Sequence, residues 1–131
     1  MYEKLSRAGD ALAKDPLGEG TKSLASLQKE LEGAHVVATD RFARFILFFL
    51  SVFIDDIRYN LLGDFPFSDA ASQEGDTARR ELFRRLGQTL IVLSEELARA
   101  NRDSCVGACS EITSKYLDTI SVLNRQDGKT Q

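Results

Sequence analysis

The chain has one histidine and two cysteines in 131 residues, each scarcity removing a class of function, and its two prolines and nine glycines give it no low-complexity character. A histidine-dependent triad would have to pass through His35 alone, which lies between Gly33 and Val37 and reads as a surface or capping residue. The single histidine allows only one Glu-x-x-His motif, Glu32 to His35, where the usual di-iron site of helical bundles needs two. Phosphate loops, dinucleotide fingerprints and zinc-ligand spacings are missing as well. No catalytic residue, metal site or cofactor is therefore expected. Cys105 and Cys109 are too few for a disulfide framework. One helical turn apart, they read as two small buried hydrophobes, unpaired with each other because that spacing rarely gives disulfide geometry. No apolar run approaches the roughly 20 residues of a membrane-spanning helix, and no alternating strand pattern competes with helix. The opening Met1-Tyr2-Glu3-Lys4 lacks the apolar core of a secretory signal. The net charge of -3 argues against a nucleic-acid partner.

What the chain does have is helical periodicity. Its length predicts a single domain, residues 1–131, large enough to bury a core. Leu5, Ala8 and Leu12 mark a short first helix that stops at Asp15-Pro16, where proline disfavours helical geometry in the residue before it. Thr21 is placed to cap a second helix bearing Leu24, Leu27 and Leu31 and ending or bending at Gly33. The central stretch from Asp40 to Leu62 is the most apolar, with Phe45 to Ile54 broken only by Ser51. On a helical wheel Phe42, Phe45, Phe49, Val52 and Phe53 share one side, widened by Ile46, Leu50, Ile54, Ile57 and Leu61. Asp40, Arg44, Ser51, Asp55 and Arg58 leave a narrow polar strip. Phe65 and Phe67, in the loop that follows, are expected to plug one end of the bundle. A helix from Asp76 to Asn101 carries Leu82, Phe83, Leu86, Leu90, Leu93 and Leu97 on one stripe. Asp103 or Ser104 can cap the last helix, whose inward face holds Cys105, Cys109, Ile112, Tyr116, Ile120 and Leu123. The expected fold is all-α, an antiparallel up-down four-helix bundle with an additional short N-terminal helix.

Two sets of polar residues do not fit a featureless bundle. Arg79, Arg80, Arg84 and Arg85 crowd the first turns of their helix, where the helix dipole disfavours cations. They read either as a solvated face partly neutralised by Asp76-Arg80 and Glu81-Arg85 pairs, or as a docking face for an acidic partner. Ile91 and Val92, expected on the same outer side, favour a protein interface. Asp56 is the other case, because the wheel places it on the buried side between Phe45 and Phe49. A buried carboxylate needs a partner. A hydroxyl such as Tyr116, or an arginine of a neighbouring helix, is expected to supply it, with Asp56 fixing helix register, while Asp55 points into the polar strip and is solvated.

The chain from Ser51 onward resembles a known family. Ser51 to Leu62 (SVFIDDIRYNLL), Glu81 to Ser104 (ELFRRLGQTLIVLSEELARANRDS) and the closing helix from Cys105 to Asn124 are similar to the last three helices of the PsbQ family of photosystem II extrinsic proteins. The likeness includes Asp56-Ile57, the Leu82-Phe83 start and the spacing of Leu97, Ala100 and Ser104. The proline-rich arm of the plant proteins and the N-terminal lipid-bearing cysteine of the cyanobacterial forms are missing, so the shorter algal type is the nearer match. The resemblance implies a non-enzymatic subunit in the plastid thylakoid lumen, peripheral to the membrane. Its implied partners are the photosystem II core and other extrinsic subunits, and its role is to stabilise the oxygen-evolving complex by helping to retain calcium and chloride without ligating them. A related four-helix subunit of another thylakoid complex, such as the NADH dehydrogenase-like complex or a photosystem I antenna assembly, and a helical adaptor or chaperone are the alternatives.

Overall fold

Leucine spacing becomes helix packing along most of the chain. The computed structural model describes residues 3–16, 19–62 and 73–129. Among them are five α-helices and no strand: α1 Glu3–Lys14, α2 Glu19–Val37, α3 Arg41–Ile57, α4 Gln73–Ala98 and α5 Arg102–Lys129. The loop with Phe65 and Phe67 and the side chain of Asp76 lie outside the described residues. The predicted stripes of α1, α2 and α4 are buried, and with the inward face of α5 they form one contiguous core. Phe83, Leu86, Leu90 and Leu93 of α4 share that core with Ile46, Leu50, Ile54 and Ile57 of α3, all without solvent exposure.

Helix boundaries follow local chemistry. The Asp40 carboxylate accepts the Ala43 backbone N–H at 2.8 Å and starts α3. The cap of α5 is Asn101 rather than Asp103 or Ser104, since its Oδ1 accepts the Ser104 N–H at 3.3 Å. Helix α4 covers its whole apolar stripe but ends at Ala98, short of the expected Asn101. Ala100 takes a φ of 56°, and the Asn101 N–H reaches back to the Glu96 carbonyl at 2.9 Å. That is a Schellman closure with alanine in the left-handed position that glycine usually holds. Gly33 does not end α2, which continues to Val37 with no atom near the place of a Cβ. The central segment is not one α-helix either: after Ile57 it widens into a π-helical turn, Arg58–Leu62.

The short α1 is a full member of the core. It lies between α2 and α4, and its closest backbone neighbour is α4. At their crossing Gly9 and Gly87 face each other so tightly that a Cβ built on either would stand 2.4 Å from the other's carbonyl oxygen. The remaining close neighbours are α4 with α5 and α2 with α3. Helices α3 and α5 are not close along their backbones, yet their side chains meet at both ends of a shared seam. Arg102 stands over the Phe42 ring at 5.5 Å, and Phe53 packs edge-on against Tyr116 at 5.4 Å. Since the first residues of α3 meet the first residues of α5, the two helices run in the same direction.

Candidate docking surface

The seam between α3 and α5 opens to solvent between those end contacts. Phe45, Ile46 and Phe49 on one side and Val106, Cys109, Thr113 and Leu117 on the other line an apolar groove of about 430 Å³. Its α3 rim continues around the helix onto Phe48 and Val52. Phe45 and Leu117 are about 60% exposed (59% and 60%), and Phe48, Val52 and Val106 are each 52% exposed. The wheel had placed Phe45 and Val52 inside; the structure puts them outside and buries Ser51, whose hydroxyl donates to the Phe48 carbonyl at 2.8 Å. The reason is geometric. Helix α3 is apolar over more than half its circumference, but only α2 comes close to it along the backbone, so the branched aliphatic side takes the core and a phenylalanine side is left uncovered.

Two polar clamps hold the C-terminal end of α3. Toward α5, the Tyr116 hydroxyl donates to Asp56 Oδ2 at 2.6 Å and accepts from Asn60 Nδ2 at 2.8 Å. The structure thus brings Asp56 and Tyr116 together, but Asp56 is exposed, not buried among phenylalanines. Its carboxylate reaches the phenol from the rim of the seam. Burial, and then the Asp56 carboxylate that holds the proton on the oxygen, push the Tyr116 phenol up to about 12. Toward α2, the Gln28 side chain donates to Asp55 Oδ1 at 2.9 Å and accepts from the Arg58 guanidinium. Asp55 is therefore not merely solvated. Gln28 is 8% exposed and escaped the sequence reading, although it shares the face of Leu24, Leu27 and Leu31. The π-helical turn carries both Arg58 and Asn60, and so serves both clamps.

The α4 arginines form a second, different surface. Arg80, Arg84 and Arg85 are exposed and Arg79 is half-buried. Glu81 takes Arg84 as an ion-pair partner and lies 4.0 Å from Arg85, so part of this charge is neutralised within the helix. Ile91 does not share the outer side with Val92. It turns toward α1, where its side chain lies against Gly9. Val92, 42% exposed, instead lines a groove of mixed polar and apolar character between α4 and α5 with Arg85, Glu111 and Lys115.

The cysteines are free and buried. Burial, and then its neighbour Cys105, push the Cys109 thiol up to about 12, the opposite of the depressed value a reactive thiol needs. Among the described residues no group of three or more histidine, cysteine or carboxylate side chains could hold a metal ion. No described helix is long and apolar enough to cross a membrane.

No family model, curated protein or solved structure matches the chain.

Proposed function

We propose that the protein is a non-enzymatic docking subunit that presents the α3/α5 face to another protein surface. The observation that supports this is the groove with its half-exposed rim of Phe45, Phe48, Val52, Val106 and Leu117. Apolar side chains scattered singly over a surface need no explanation, but a contiguous patch beside an open groove marks an interaction site. Grooves of this kind between helices accept the apolar face of a further helix. Covering them gains about 25 cal/mol per Å² of apolar surface removed from water.

The narrower proposal is the extrinsic photosystem II subunit, held in the thylakoid lumen by contacts with the core and with other extrinsic proteins. It is supported by the apolar spacing from Ser51 onward and by the exposed arginines of α4, which suit an acidic partner. The test is rebinding to salt-washed photosystem II membranes. Saturable rebinding, reduced by Arg80→Glu with Arg84→Glu and weakened at high salt, supports this placement. Rebinding that does not saturate rejects it and leaves only the broader docking role.

A further inference from the structure

We propose that the uncovered face of α3 is covered by α3 of a second copy of this chain, running antiparallel about a two-fold axis. This inference rests on the docking role above and names its partner. The exposed strip of α3 reads, from start to end, Arg41, Arg44, Phe45, Phe48, Val52, Asp55, Asp56. Cations stand at one end, anions at the other, and apolar side chains between them. This order runs against the helix's own dipole, which favours acids in the first turn and bases in the last, and α3 has neither there. None of the four charged groups has an ion-pair partner among the described residues. Asp55 and Asp56 are held by the neutral donors Gln28 and Tyr116.

An antiparallel second copy resolves all of this at once. With the two-fold axis crossing α3 between Phe48 and Phe49, Phe45 of one copy meets Val52 of the other. Arg41 falls opposite Asp56, and Arg44 lies within one turn of it. Every contact occurs twice, as an isologous interface requires. A parallel arrangement would instead oppose Arg to Arg and Asp to Asp. The spacing of Arg41, Phe45, Phe48, Val52 and Asp55 alternates four and three residues, the seam of a two-helix contact. The area also suffices. At about 200 Å² for a whole phenylalanine side chain, the exposed parts of Phe45 and Phe48 alone offer on the order of 200 Å² per copy. Val52, Val106, Leu117 and the charged rims bring the total toward the roughly 800 Å² per partner of a standard interface.

Sedimentation equilibrium of the full chain tests the proposal. The expected result is a species of twice the 14.6 kDa chain mass. Arg41→Glu with Arg44→Glu should weaken self-association at least tenfold, as should Asp55→Arg with Asp56→Arg. Mixing the two variants should restore pairing, which misfolding of either would prevent. Phe48→Glu should give a monomer with unchanged helicity. A wild-type chain still monomeric at a concentration on the order of 100 µM overturns the second copy, and so does a dimer that survives both charge reversals. If that monomer binds an apolar fluorescent dye, and loses it on Phe45→Glu, the docking role stands with a different protein as partner. A monomer that binds no dye removes both readings. A monomer that pellets with phosphatidylcholine vesicles assigns the face to a lipid surface and overturns the pairing.

Discussion

Replacing Gly87 by alanine tests how closely α1 is bound into the core. In an open helix the change is favourable by about 1 kcal/mol, because glycine is the poorer helix former. At Gly87 the new methyl would stand 2.4 Å from the Gly9 carbonyl oxygen, 2.9 Å from the Ala13 nitrogen and 3.0 Å from Leu12 Cβ. Two of these three atoms are backbone, so no rotamer change relieves the clash and α1 must move away by roughly 1 Å, enough to forfeit a quarter or more of each dispersion contact along the helix pair. Overpacking of this kind costs about 1–3 kcal/mol, and the upper half of that range applies where backbone faces backbone. After the propensity gain of about 1 kcal/mol, the net loss is about 1.5 kcal/mol, or a fall of roughly 6 °C in Tm for a chain of this size. Gly33→Ala is the matched control. It is in α2, exposed, with nothing within 4 Å of the new methyl. It should raise Tm by roughly 4 °C. Thermal melts by circular dichroism measure both, and equal rises in the two variants would refute the close α1/α4 crossing.

The other predictions concern a phenol and a turn. Tyr116 has a folded-state value of about 12, above the ordinary 10, so its stabilising contribution is complete below pH 10 and is lost as pH rises from 10 to 12. Tyr116→Phe should cost about 1 kcal/mol at neutral pH through the lost Asp56 and Asn60 bonds, and alkaline melts should then show a smaller drop over that window than the wild type shows. Ala100→Gly should stabilise the protein by about 1 kcal/mol, because it relieves a left-handed alanine at φ 56°; an unchanged urea midpoint would count against that turn geometry.

The inward faces of α1, α2, α4 and α5 were legible because each carries polar residues that fix the phase of its apolar stripe. Helix α3 lacks such a mark. With Phe, Ile, Leu and Val on most sides, a wheel can locate the centre of apolarity but not the side that neighbours will cover, and the phase came out turned toward Phe45 and Val52. A better signal was present in the charges. Arg41, Arg44, Asp55 and Asp56 lie on the side of Phe45 and Phe48, and charged groups at both ends of a face mark it as the outer one. Gln28, which the sequence reading missed, carries a signal of a different kind, since it falls among Leu24, Leu27 and Leu31 at core spacing. The need to satisfy a carboxylate near apolar surface calls for a partner to Asp56 but leaves open a hydroxyl or an arginine; the structure supplies Tyr116, at the rim and not in the core. The approach of Gly9 to Gly87 could not be read at all, because two isolated glycines name no partner until the order of helices is known.

That order also explains why the open seam falls between α3 and α5. Neighbouring helices here run in opposite directions: α3 recedes from Asp55 to Phe48 as α2 advances from Gln28 to His35, and α4 recedes from Ile91 to Gly87 as α1 advances from Gly9 to Ala13. Neighbours around the core follow the sequence α3, α2, α1, α4, α5. Five alternating members cannot close into a ring without setting two of like direction side by side, and these are α3 and α5. Parallel helices also align their dipoles unfavourably. Here side chains bridge the two helices at the two ends of the seam, and the groove lies open between those contacts. A further helix laid along that face, antiparallel to both, would restore alternation and oppose both dipoles. Helix α3 of a second copy satisfies that direction requirement and brings the charges that the first copy leaves uncompensated.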